Sequence, residues 1–487
     1  MSSRRQGAWI AGLAAIAVVV WALVPTYPNY DAYYSLVWGR EILHGVTPSL
    51  TAYAAPTQHP AYVALSVVLT ALLGSDADRA LVLVGALSLV ALVWAVLRTG
   101  RAVFGRWPGI VAALLTGSSF ALLLYAARAY VDVPFLALVL WAAALEAERP
   151  RRGTAPMVLL AIAGLLRPEA WILAGAYWLW LVWPSRGGTR HVGLLALAVA
   201  APLIWAATDA AVTGDPLHSL HATSTLADAL GRERGLSHVP TSLVSFLSDV
   251  LRPPVFLAGL GGAVIVAARW RERPAAIHVP IALLAGGILT FVATGIAGLA
   301  ILPRYLTVPA IALTLLAGYA LAGWTGLQVG TATRRAWSRG VIALALLGAV
   351  FVVARVHVVA RLTTELRFIR ATHDDLAATL NDPRVQAARR CGPVTLPNYR
   401  LVPDTRWILD ARREQVGARS ATRHAHGVAL FFTTRKSLRR FGFADGASVS
   451  TNAPDAGYSR LARHGMIVAY VSCPGAFRRG WTAYAPG

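Results

Sequence analysis

Lysine is nearly missing from this chain: Lys436 is the only one among 45 basic side chains, and arginine carries the rest. Cysteine is scarce too, with two residues, Cys391 and Cys473. That count excludes a disulfide-dense scaffold, and the lack of a CxxC pair or a histidine partner argues against a cysteine zinc site. Charge as a whole is thin at 14%, against 56% hydrophobic residues, which excludes an ordinary soluble globule of 487 residues. Acids number 23, leaving a net charge of +22. No nucleotide-binding motif, internal repeat or low-complexity tract occurs outside the apolar stretches.

What the chain does have is long apolar runs, close to the length that crosses about 30 Å of hydrocarbon. They cover 8–24, 80–97, 109–125, 133–145, 192–208, 255–268, 279–300, 305–324 and 341–358, with shorter runs at 157–166 and 170–183 meeting at Arg167-Pro168-Glu169. The first run follows Arg4 and Arg5 and has no small-residue cleavage site after it, so we expect a retained span.

Arginine placement orients the runs. Clusters at Arg98, Arg101 and Arg106, at Arg149, Arg151 and Arg152, at Arg186 and Arg190, at Arg269, Arg271 and Arg273, and at Arg334, Arg335 and Arg339 fall between alternate pairs of runs. The positive-inside rule makes these loops cytoplasmic. Residues 61–74 are apolar but short, and counting them as a crossing inverts every later loop, so they read as a helix in the outer interface. The expectation is an α-helical polytopic protein of about 11 spans in the plasma membrane, N-terminus in the cytoplasm. Its membrane domain is 1–359, with outer loops 25–79 and 210–254.

Residues 360–487 change character. Long apolar runs stop, prolines punctuate the sequence, and strand-like stretches at 392–396, 428–433 and 466–472 follow a helical start at 361–380. We expect a small extracytoplasmic α/β domain. Its basic residues, Arg389, Arg390, Arg412, Arg413, Arg435, Lys436, Arg439, Arg440, Arg478 and Arg479, suit anionic lipid headgroups or an acidic polymer, and nucleic acid is not expected outside the membrane. In that compartment Cys391 and Cys473 form a disulfide; two buried thiols are the alternative.

The outer side collects the ionisable residues. Asp31 sits just after the first run among aromatic residues, and Tyr34, Trp38 and Ile42 follow at helical spacing, as in an interfacial helix. A carboxylate there suits a general base, its pKa raised by semi-apolar surroundings, or simply the N-terminal acid of that helix. His59 precedes a proline and is a substrate contact or a loop residue. Arg128 and Asp132 flank a turn, where they hold and orient a phosphate or serve as a snorkelling arginine and a helix cap. Arg167 and Glu169 meet at a run break, and Arg304-Tyr305 opens another run on the same side. Converging arginines suit a leaving phosphate. Asp215, His218 and His221 lack a fourth ligand, so no metal site is expected.

In order, these features resemble the GT-C superfamily of polytopic glycosyltransferases, which includes the dolichyl-phosphate-mannose protein mannosyltransferases and the aminoarabinose lipid A transferases. The matching features are the acid after the first span, the Tyr34-x4-Gly39-Arg40-x4-Gly45 pattern, His59-Pro60 before the interfacial helix, then Arg128 to Asp132, Arg167-Pro168-Glu169 and Arg304-Tyr305. The resemblance implies an inverting transfer of a sugar, mannose or another hexose or pentose, from a polyprenyl-phosphate donor on the outer face. Asp31 is the base; Arg128, Arg167 and Arg304 bind the donor phosphate; His59, Asp132, Glu169, Tyr305 and Tyr34 support. The acceptor is an envelope glycan, lipid or protein; no cofactor is required, although a divalent cation is compatible. Ala32 stands where those two families usually place a second acid, which favours a branch with one acid in this loop. A lipid or polysaccharide transporter would carry polar residues within its spans, and a scaffold would need no charged cluster on one face.

Overall fold

The computed structural model describes residues 3–183, 189–272, 274–354, 357–443 and 449–474. Arg186, Arg273, Arg478 and Arg479 lie outside them. The membrane part is a bundle of helices: α1 (Ser3–Leu23), α2 (Tyr30–Leu43), α3 (Pro60–Leu73), α4 (Ala77–Phe104), α5 (Arg106–Gly117), α6 (Phe120–Ala127), α7 (Asp132–Glu148), α8 (Thr154–Leu166), α9 (Glu169–Val182), α10 (Thr189–Thr213), α11 (His218–Ala229), α12 (Val239–Leu251), α13 (Pro253–Ala268), α14 (His278–Ile296), α15 (Thr307–Ala322) and α16 (Ala332–Ala354). Among the described residues, five helical stretches are long and apolar enough to cross a bilayer, and seven if each of two bent pairs counts once. Shorter apolar helices add Gly7–Leu23, Thr154–Leu166 and Glu169–Val182.

One expected run is broken. Residues 109–125 form α5 and α6, bent by 55°. Ser118 bonds back to the Leu114 carbonyl at 2.8 Å and Ser119 adopts extended backbone, which ends one helix and starts the next. The 61–74 stretch is the separate helix α3, joined to α4 through a 3₁₀ turn at Gly74–Asp76 and packed on α2. Small residues let the central helices close up. A Cβ on Gly259 of α13 would lie 2.8 Å from the Leu313 carbonyl oxygen of α15.

After α17 (His357–Leu380) the chain forms a small mixed sheet with α18 (Pro383–Ala388) and α19 (Val402–Ile408). Its strands are β1 (Val394–Leu396), β2 (Val416–Ala418), β3 (Gly427–Phe432), β4 (Ser459–His464) and β5 (Ile467–Ser472), in the order β2-β1-β3-β5-β4. β1 runs parallel to β2 and β3, while β5 runs antiparallel to β3 and β4. β3 is buried along its whole length, as a central strand covered on both faces requires. Cys391 and Cys473 are disulfide-bonded across 82 residues, a loop whose closure stabilises the domain by about 4.5 kcal/mol in the chain-entropy account. The sequence reading missed β2, only three residues long, and β4, whose Ser-Arg-Leu-Ala-Arg-His edge is mostly solvated.

This region grips α2. Arg40 donates to the Arg406 and Trp407 carbonyls at 2.7 and 3.0 Å and pairs with Asp410 at 3.0 Å. In return Arg406, 1% exposed, reaches Glu41 at 2.5 Å and the Ser49 hydroxyl at 2.9 Å. Removing one partner of such a pair strands the other charge away from water. Arg406→Ala is therefore expected to destabilise the protein by about 3 kcal/mol, and adding Glu41→Gln should recover part of that. Thermal unfolding of the two variants in detergent checks both.

Candidate functional site

A cavity of about 430 Å³ opens between the start of α2, the segment before α3, α9, α10, α14 and the Pro303–Leu306 turn. Asp31, His59, Arg167, Glu169, Arg304 and Tyr305 line its charged end. Trp171, Ile172, Pro202, Trp205 and Ala293 make the rest largely apolar.

Asp31 lies in the first turn of α2, but the cap is Asn29, whose side chain accepts from the Ala32 amide at 3.0 Å. The Asp31 carboxylate is thereby left for the cavity, where it accepts from the Arg304 guanidinium at 2.7 Å. Burial by itself raises the Asp31 pKa; Arg304 and, more remotely, Arg232 outweigh it, so the carboxyl titrates below its ordinary range. The expectation of a raised pKa is corrected here, because an opposite charge at hydrogen-bond distance outweighs the apolar walls.

Arg167 ends α8 and makes ion pairs with both Asp132 and Glu169. Asp132 is fully buried, and its Oδ2 has no partner among the described residues. The Arg167 guanidinium also lies 5.3 Å from the Tyr305 ring centre. The Nε of Arg304 and Nδ1 of His59 are buried and unpartnered within the described residues. His59 meets Trp205 edge to face at 5.9 Å. Behind it, Gln58 donates to Asp209 at 2.5 Å, and Asp209 also accepts from the Ser219 amide and hydroxyl at 2.8 and 3.0 Å.

Three expected members do not line the cavity: Asp132 is buried as the partner of Arg167, and Arg128 and Tyr34 lie elsewhere. Arg128 does not line the cavity: its guanidinium donates to the Tyr27 and Pro28 carbonyls at 3.3 and 2.7 Å and ties down the segment leading into α2. Tyr34 is fully buried, tilted against Trp38 at 5.3 Å, because its helical spacing faces the protein and not the cavity. Conversely, Asp209, Trp171 and Trp205 belong to the cavity and were not selected from sequence. An acid ending an apolar run was the only signal for Asp209. His221 pairs with Asp215 at 2.7 Å, and no group of three or more His, Cys, Asp or Glu side chains converges among the described residues.

The sequence profile of the dolichyl-phosphate-mannose-protein mannosyltransferase family matches residues 58–206. Among solved structures, the arabinofuranosyltransferase AftD from Mycobacteria superposes with a TM-score of 0.50 at 15% identity, over 98% of this chain and 40% of that one. The fold as a whole is therefore similar to that of AftD, and residues 58–206 carry the mannosyltransferase-family pattern. ArnT from Cupriavidus metallidurans aligns at 16% identity over 96% of this chain and 100% of its own, with a TM-score of 0.46. The oligosaccharyltransferase of Archaeoglobus fulgidus aligns at 12% identity over 84% of this chain and 64% of its own, with a TM-score of 0.47. No curated sequence relative matches. The profile match takes in His59, Asp132, Arg167 and Glu169 but neither Asp31 nor Arg304.

His59 gives the cavity a pH signature. Burial pushes its pKa down to about 4, with Asp31 acting in the opposite sense. Above pH 6.5 the ring is neutral folded and unfolded; between 6.5 and about 4 the unfolded chain takes a proton that the folded site refuses, so stability falls with pH. The full difference is about 3 kcal/mol. His59→Gln is expected to lose less stability than the parent across that window, read from thermal midpoints at a series of pH values.

Proposed function

We propose that the protein is an inverting glycosyltransferase that takes a sugar from a polyprenyl-phosphate donor and passes it to a hydroxyl of an envelope glycan, lipid or protein. The observation that carries this is the direct pairing of Asp31 with Arg304 at the charged end of an otherwise apolar cavity. The reaction needs a base for the acceptor and a cation for the departing phosphate within one sugar's length, and a prenyl chain needs an apolar wall.

The Arg304 guanidinium turns from Asp31 to the donor phosphate on binding. Asp31, released from its ion pair, then regains basicity where the acceptor hydroxyl arrives. It takes the hydroxyl proton as the acceptor oxygen bonds to the anomeric carbon from the face opposite the phosphate. The bond from that carbon to the phosphate oxygen breaks, its electron pair stays with the polyprenyl phosphate, and Arg304 meets the growing charge. Arg167 is already balanced by two carboxylates, so in this scheme it holds the wall in place and turns its guanidinium toward Tyr305. His59, neutral at pH 7, offers a hydrogen bond to the sugar. The arginine loops support placing the cavity on the outer side of the membrane, with the C-terminal region there too; its disulfide fits that compartment.

Turnover of a panel of polyprenyl-phosphate sugars by the purified protein, read as released polyprenyl phosphate, tests the scheme. Asp31→Asn is expected to lower kcat about 1000-fold with folding intact, and Arg304→Gln about 100-fold or more. Unchanged turnover in Asp31→Asn would remove the base and with it the mechanism.

A further inference from the structure

A second cavity, of about 500 Å³, lies on another side of the bundle, between the α5–α6 bend, the α12–α13 bend, α15 and α16. It shares no lining residue with the Asp31 cavity: Arg304 and Tyr305 face that one, while Thr307 faces this one. From Thr307 to Leu321 it follows α15 for about 21 Å, more than one leaflet of hydrocarbon.

The walls are apolar even where the residues are not. The hydroxyls of Thr116, Ser118, Thr307 and Thr314 are each spent on a carbonyl of their own helix or turn, at 2.8 to 2.9 Å. Polar capacity is confined to one end. There Ser119, which starts α6, makes no side-chain cap bond, and Arg252 sits at the α12–α13 bend with φ 68°. Among the described residues the Arg252 guanidinium makes no ion pair and no hydrogen bond; it lies over the Phe120 ring, 5.5 Å from its centre. Phe120 begins α6, so a cation rests beside the positive end of a helix. Two positive features side by side at the edge of an apolar groove, with no carboxylate between them, call for an anion.

We propose that this groove holds one anionic phospholipid, its phosphate at Arg252 and the Ser119 end of α6, and one acyl chain along α15 and α16. The charge at one end selects the headgroup, and because the hydroxyl protons are already committed to backbone carbonyls, the rest of the groove suits hydrocarbon. The site is separate from the transfer reaction and stands whether or not that reading holds.

Native mass spectrometry of the full-length protein, titrated with phosphatidylglycerol, phosphatidylcholine or undecaprenyl phosphate, tests the proposal. One phosphatidylglycerol per chain is expected, held at least tenfold more tightly than phosphatidylcholine. Arg252→Gly, the residue that accepts φ 68°, ψ 145° most readily, removes the guanidinium and should cut that retention at least tenfold. Gly348→Phe fills the groove from α16, where a Cβ meets no atom within 4 Å, and should do the same without loss of fold. Retention unchanged in both variants would overturn the proposal. So would equal retention of phosphatidylcholine, or undecaprenyl phosphate displacing phosphatidylglycerol in an Arg252-dependent way, since the occupant would then be a different lipid.

Discussion

Two charges 2.7 Å apart, on segments 273 residues distant in the chain, organise this molecule. Neither Asp31 nor Arg304 can be left alone beside an apolar cavity, because an isolated charge there costs several kcal/mol. Their pairing therefore requires α2 and the turn before α15 to meet at one place. The remaining charged side chains at that end obey the same constraint: Arg167 is balanced by Asp132 and Glu169, and Asp209 by Gln58 and Ser219. Under the proposed function, a phosphate that draws the Arg304 guanidinium away from Asp31 leaves that carboxylate more basic when a base is needed.

The position of Asp31 depends on α2, and α2 is held from both ends. Arg128 and Asn29 define its entry, the first by bonding the carbonyls before it and the second by capping its first turn. Arg40, Glu41 and Arg406 hold its other end against the C-terminal sheet domain. Stability of that domain, including its disulfide, is thereby linked to the geometry of the cavity. A soluble appendage could have been tethered loosely; this one shares buried ion pairs with the helix that carries Asp31.

Where helices bend, the bundle opens. The break at Ser118 and Ser119 and the 112° turn at Arg252 face each other, and the groove between them lies behind the wall that carries Arg304. Elsewhere glycines such as Gly259 let α13 and α15 approach so closely that no cavity remains. Bends and small residues thus divide the interior between sealed contacts and two separate cavities.

Much of this was legible in the residue order. Apolar runs locate the helices because hydrocarbon imposes a length, and three of five strands announce themselves by β-branched and aromatic content. Asp31, His59, Arg167, Glu169, Arg304 and Tyr305 could be singled out because ionisable groups at run ends are few. What each does could not be read there. Arg128 and Arg304 look alike in one dimension, yet one spends its donors on backbone carbonyls and the other faces the cavity. Tyr34 shares a helix with Asp31 and points into the core. Asp209, Trp205 and Arg252 matter only through neighbours far away in the chain. Residue type and spacing, which depend on local chemistry and solvent, determined the class of protein and its candidate groups; the tertiary structure alone decided their partners, because an ion pair is set by distance in space.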